Sequence, residues 1–153
     1  MEFHHSFSVA APLDAVWAAM TDVERVAPCV PNTRVTGRAG EGSYDVEITV
    51  AVGPLVATAA GNITLAEHDD ATRREVLRVV ARDADGDVLA DATIAIVLSE
   101  VASGTDAAVH SVVEVGGLAV FVAEETLDQV AGRTLQTFAA NLAALLGQPP
   151  GAA

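Results

Sequence analysis

The side chains able to do chemistry in this sequence are few and do not converge. There are four histidines and one cysteine. His4 and His5 are neighbours, and neighbours on a strand point to opposite faces, so they cannot hold one metal ion together. His68 falls in an acidic stretch that reads as a turn, His68-Asp69-Asp70, and His110 falls on the outward side of a strand. A zinc site needs three or four convergent ligands, so no metal is expected. Cys29 sits between Pro28 and Pro31 without the His and Asn or Asp context of a thiol nucleophile, and reads as a small buried residue. Asp91 and Glu114 face outward by strand parity, which leaves no inward carboxylate pair for acid–base work. Gly40-Glu41-Gly42 lacks the helix that a phosphate-cradling loop needs directly behind it. His5, Tyr44 and Ser111 share the inward faces; each could orient a ligand or sit hydrogen-bonded in the core. No catalytic residue is expected, and the chain reads as something other than an enzyme.

What the inward positions offer instead is room. Ala57, Ala59, Gly61, Ala81, Ala90 and Ala92 cluster on three successive strands, with Val79, Ile94 and Val113 among the larger residues around them. Close packing sets large residues opposite small ones, so either the last helix drops onto this patch or a cavity remains. Leu127, Ala131 and Leu135 would face the patch from that helix, and its alanines 123, 131, 139 and 143 favour the cavity. An apolar hollow with few polar groups is a small-molecule site. The expected occupant is a small apolar molecule.

Composition and pattern define the elements that would position this hollow. The chain has 153 residues, half of them apolar, and a net charge of −13 with eight arginines and no lysine. That length suits one domain, expected over 1–147 with a short disordered tail at 148–153. An acidic surface without a basic patch repels nucleic acid and anionic lipid headgroups. No secretory leader or run of eighteen apolar residues is seen, so the reading is cytoplasmic, without a stable membrane anchor.

Phe3, His5, Phe7 and Val9 alternate with polar residues as an opening strand. Pro12 and Asp14 open a helix whose buried stripe is Leu13, Val16, Trp17 and Met20. Thr21-Asp22-Val23-Glu24 reads as a capping box for a second short helix, ended by Pro28 and Pro31. From Arg34 the period becomes two. The inward sets are Tyr44, Val46, Ile48, Val50 and Val52, then Leu55 to Leu65 at every second position. Gly53-Pro54 turns between them. A two-residue turn at Asp85-Gly86 pairs Ala81 with Ala90, Val79 with Ala92 and Leu77 with Ile94, each an inward pair, so the register is self-consistent. Ser103-Gly104 turns into the last strand. Leu118 to Leu146 then carries an apolar stripe of helical period, about 40 Å long, stopped by Gly147 and Pro149-Pro150.

The predicted class is therefore α+β: a seven-stranded curved antiparallel sheet, two short helices after strand 1 and a long C-terminal helix. It resembles the helix-grip arrangement of START-like (SRPBCC) domains.

Within that class, Asp22-Val23-Glu24-Arg25-Val26-Ala27-Pro28-Cys29-Val30-Pro31 resembles the D-x-E-R-V-A-x-C-x-P-G stretch of the carbon monoxide dehydrogenase CoxG family, with Asn32 where the family has glycine. Val52-Gly53-Pro54 and Phe138-Ala139-Ala140-Asn141-Leu142 agree with it as well. The resemblance implies an accessory protein of a molybdenum hydroxylase of the carbon monoxide dehydrogenase type, binding a quinone-like apolar lipid or touching the membrane surface transiently. Relatives of this kind often extend through a flexible tail to a hydrophobic anchor, whereas this sequence stops at Ala153. Two other readings stay open: a polyketide cyclase or aromatase on the same fold, and an acidic interaction module with a solid core.

Overall fold

A computed structural model describes residues 1–52 and 55–147, so the expected turn at Gly53-Pro54 and the expected tail at 148–153 lie outside the described residues. Within them one antiparallel sheet is built from β1 (Glu2–Val9), β2 (Thr33–Gly40), β3 (Ser43–Val52), β4 (Leu55–Asp69), β5 (Arg74–Arg82), β6 (Val88–Val101) and β7 (Gly104–Val115). Helices α1 (Leu13–Met20) and α2 (Val23–Val26) and a 3-10 turn, Ala27–Cys29, connect β1 to β2. A second 3-10 turn, Gly117–Phe121, leads into α3 (Glu124–Gly147). The strand order is β1-β7-β6-β5-β4-β3-β2, so all neighbours except β1 and β7 are sequential hairpins. This is the expected helix-grip arrangement.

Hairpin registers follow the period-two patterns. On β5 and β6, Ala81 pairs with Ala90, Val79 with Ala92 and Leu77 with Ile94. On β3 and β4, Tyr44, Val46 and Ile48 pair with Ile63, Gly61 and Ala59. The connections differ in detail from the sequence reading. Between β5 and β6 the pairing shifts at Arg82, and the Asp83 carboxylate accepts from the backbone N–H of Asp85 and Asp87, which makes a five-residue loop of 83–87. The β4 strand runs through His68 to Asp69 and turns only at 70–73, past a bulge between Leu65 and Glu67. Val101 pairs with Gly104, so the β6–β7 turn is Ala102-Ser103. At Gly104 (φ 141°) a Cβ would lie 2.3 Å from the Val9 carbonyl, so the approach of β7 to the end of β1 admits only glycine.

The helices are also trimmed. The α3 helix starts at Glu124 rather than Leu118, because the residues before it form the tight 3-10 turn. Asp22, not Thr21, caps α2 by accepting from the Arg25 N–H, while the Thr21 hydroxyl bonds back to the Trp17 carbonyl and Glu24 turns outward to Arg38. The capping box is thus a single Asp cap.

Two apolar clusters make the core. The larger joins Phe7, Val16, Trp17, Met20, Ile96, Leu98, Val109, Phe138 and Leu142, with Phe7 and Phe138 edge to face at 5.6 Å. The smaller joins Val23, Ala27, Tyr44, Val46 and Ile63. Helix α1 is keyed into the first cluster by Trp17, which is 5% exposed. Its indole N–H donates to Asp70 at 2.8 Å, and the Arg73 guanidinium lies over the ring and pairs with Asp14. One side chain therefore both fills the core and holds the β4–β5 turn. Trp17→Ala should cost about 3–5 kcal/mol in urea unfolding. Trp17→Phe keeps most of the ring and loses the hydrogen bond, so it should cost about 1–2 kcal/mol. A loss below about 1 kcal/mol for the alanine variant would contradict this packing.

Candidate ligand-binding site

The two clusters do not close on each other. Between them lies a cavity of about 380 Å³, within the range of small-molecule sites. Its floor is the inward face of the sheet: Ile48 of β3, Ile63 of β4, Leu77 and Val79 of β5, and Ile94 and Ile96 of β6. Val130, Thr134, Leu135 and Phe138 of α3 roof it. Val23, Val26, Ala27, Val30 and Pro31 form the side wall, and Asn32, Thr33 and Thr49 supply most of its polar edge. The cavity exists because α3 rests on β1 and on the Ala27–Cys29 turn and bridges the middle strands.

Of the residues expected at the site, Val79, Ile94 and Leu135 line this cavity; the others do not. Ala59 and Gly61 are buried, but a Cβ on Gly61 would meet Val46 at 2.9 Å and Ile48 at 3.0 Å. The branched side chains of β3 have leaned over the small patch and filled it. Ala57 is half-buried and lies two residues before Ala59 on β4. Ala81, Ala90 and Ala92 continue from the cavity-lining Val79 and Ile94 toward the 83–87 loop, with Val113 paired to Ala92. Leu127 and Ala131 precede most of the lining part of α3 and are half-buried.

None of the three inward polar groups reaches the cavity wall. The His5 imidazole sits 3.0 Å from Asp128 and ties β1 to α3. Tyr44 is buried in the smaller cluster, its ring under the Arg38 guanidinium and its hydroxyl accepting from it at 3.5 Å. Ser111 is half-buried, paired with Phe3 and Ile94. The polar groups that do line the cavity, Asn32, Thr33, Thr49 and Thr134, were not singled out from the sequence. Threonine on a strand or helix gives no signal of its direction there, and Asn32 is marked only by its positive φ of 59°.

Residues 6–147 match the family model for the carbon monoxide dehydrogenase component CoxG. The chain belongs to that family. A search of curated proteins finds no match. Among solved structures, a conserved protein from Geobacillus kaustophilus is similar at a TM-score of 0.83 and 16% identity, covering 96% of this chain and 95% of its own. An aromatase/cyclase, Zhui, from a Streptomyces species is similar at a TM-score of 0.61 and 19% identity, covering 100% and 99%. A protein from Thermus thermophilus reaches 0.65 at 14% identity, covering 95% and 99%. At these identities they share the fold.

The CoxG stretch from Asp22 to Asn32 now has a physical role: it is the cavity's side wall. Asp22 caps it, Val23, Val26, Ala27, Val30 and Pro31 face inward, and the buried Cys29 presents its carbonyl to the Asn141 side-chain N–H at 2.9 Å. The two segments of family resemblance, 22–31 and 138–142, are thereby bonded to each other at the foot of the cavity. Burial pushes the Cys29 thiol up, which suits a packing residue rather than a nucleophile.

Two features were missed by sequence reasoning. On the outer face of the sheet, Glu2, His4 and His110 place ligand atoms within 4.8 Å of one another, the one such group of three among the described residues. The Glu2 carboxylate is 2.6 Å from His110, whose hydrogen bond holds it below the usual carboxylate range, and the two imidazoles stack at 4.5 Å. The pairing of His4 with His110 joins the first and last strands of the sheet, which no local pattern announces.

The second missed feature is Glu75. It is fully buried, and neither carboxyl oxygen has a hydrogen-bond partner. Two-residue parity with Leu77 and Val79 could have found it. Burial pushes its carboxyl up from the ordinary 4.5 to about 8. The unfolded chain releases this proton near pH 4.5 and the folded one near 8. Glu75 therefore destabilises the fold progressively as pH rises through that window, by about 1.4 kcal/mol per unit. Stability of Glu75→Gln relative to the parent should increase steadily from about pH 5 to about pH 8. Parallel pH profiles for the two proteins would contradict the burial of an ionisable Glu75.

Proposed function

We propose that the chain is a carrier rather than a catalyst. It takes an apolar, ring-bearing molecule of the quinone type into the cavity and presents it to a molybdenum hydroxylase of the carbon monoxide dehydrogenase type. The observation that carries this reading is the cavity itself: aliphatic walls on sheet and helix, an edge of hydroxyls and one amide, and a side wall formed by the family's own stretch. Membership of the CoxG family supports the hydroxylase as the partner. No described helix is long and apolar enough to cross a membrane, so any contact these helices make with a membrane would be a surface contact.

The fold shared with the Streptomyces aromatase/cyclase keeps a second reading in view, ring closure of a polyketide in the same space. The residues lining the cavity favour the carrier, because Asn32, Thr33, Thr49 and Thr134 can orient a ligand but are poor acids and bases near neutral pH. An acidic interaction module with a solid core fits poorly with an open volume of this size.

Saturable uptake of N-phenyl-1-naphthylamine, read by its fluorescence and displaced by menadione, tests the carrier reading. Val79→Phe and Thr134→Phe fill the space from opposite walls. Each should weaken uptake by roughly tenfold or more, equivalent to about 1.4 kcal/mol. Both should stay folded, because the added ring enters open volume. Absence of saturable uptake by the parent, or unchanged uptake by both variants, would refute the carrier reading.

A further inference from the structure

We propose that Glu75, in its protonated form, is the hydrogen-bond donor that selects the ligand of this cavity, engaging a carbonyl-type oxygen at the end that enters deepest. The proposal rests on the cavity holding an apolar small molecule and specifies what that molecule must carry. Glu75 shares the inward face of β5 with Leu77 and Val79, and its partner across the ladder on β6 is Ile96. All three of those residues line the cavity, so Glu75 stands one step beyond its wall, at the end nearest α1. Asn32, which is half-buried to exposed at the surface, lies with Thr33 and Thr49 at another edge, leaving an apolar passage between a polar mouth and this one buried acid.

The carboxyl is otherwise unexplained. Its neighbours on the adjoining elements have partners: Arg73 pairs with Asp14, Asp70 accepts from Trp17, and the His68 imidazole lies 3.7 Å from Asp70. None of them reaches Glu75, whose two oxygens make no hydrogen bond. A buried polar group without a partner is costly, and buried polar groups in native proteins are almost always satisfied. A ligand oxygen that accepts the acid's O–H would satisfy it. An aliphatic residue would serve better in a cavity meant for a pure hydrocarbon.

The test compares 9-fluorenone with fluorene, two rigid tricycles that differ at one carbon, by their affinities for the parent, Glu75→Met and Glu75→Gln. Methionine keeps the length and volume of the side chain without a donor, and glutamine keeps an N–H donor. The ketone-to-hydrocarbon affinity ratio, compared between proteins, cancels the difference in how the two probes partition from water. That ratio should fall by roughly tenfold in Glu75→Met and stay within about threefold of the parent in Glu75→Gln. Fluorene should bind Glu75→Met at least as well as it binds the parent, which also reports that the variant is folded. An unchanged ratio in Glu75→Met, with both probes bound, would overturn the role of Glu75 while leaving the carrier reading intact. A ratio that falls equally in Glu75→Gln would overturn the donor. If the parent binds neither probe, the carrier reading fails, and this proposal with it.

Discussion

Helix α3 has two supports, strand β1 and the Ala27–Cys29 turn, and nearly everything distinctive about the molecule depends on how they hold it. Phe138, Ala139 and Leu142 are buried on this footing, with Phe138 edge to face on Phe7 and Asn141 bonded to the Cys29 carbonyl. Farther toward its N-terminus the helix spans the middle of the sheet without settling on it. Val130, Thr134 and Leu135 are left facing Leu77, Val79 and Ile94 across open volume. A helix free to drop would gain dispersion contacts along its length, so the space persists only while its two supports stand. The stretch that marks the family is one of those supports and also the cavity's wall. A change there would alter both the shape of the cavity and the seat of the helix.

The same arrangement sets the electrostatics. Charge is kept to the surface: Arg34, Arg38, Arg73 and Arg78 each pair with a carboxylate. The described interior contains one acid, Glu75, with no compensating cation. Near neutral pH such a group is mostly protonated, so the interior stays uncharged while keeping one latent donor. Buried titratable groups of this kind concentrate at functional sites, because an unsatisfied acid is otherwise selected against.

Much of the fold was legible because its hairpins are local. Alternation at Tyr44, Val46 and Ile48 and at Leu77, Val79 and Ala81 determines which face is inward, and that parity survives an error in the turn. The turns were harder to read, since the 83–87 loop is organised by the Asp83 side chain and the β4–β5 turn is displaced by a bulge. The position of the cavity was less legible still. Small residues at Ala59 and Gly61 suggest a hollow, but the space above Gly61 is taken by Val46 and Ile48, a choice of side-chain direction that spacing does not encode. Glu75 was readable by parity and was passed over, because an acid between Arg74 and Val76 looks solvated. The facing of His4 and His110 depends on the non-local pairing of β1 with β7, and only the folded chain reveals it.

Native mass spectrometry of the chain, purified from cells without detergent, addresses the central claim most directly. The account predicts a population carrying one apolar molecule of a few hundred daltons per chain, released by organic solvent and restored when the extract is added back. A bare chain from cells that also takes up nothing on incubation with a cellular lipid extract would contradict it.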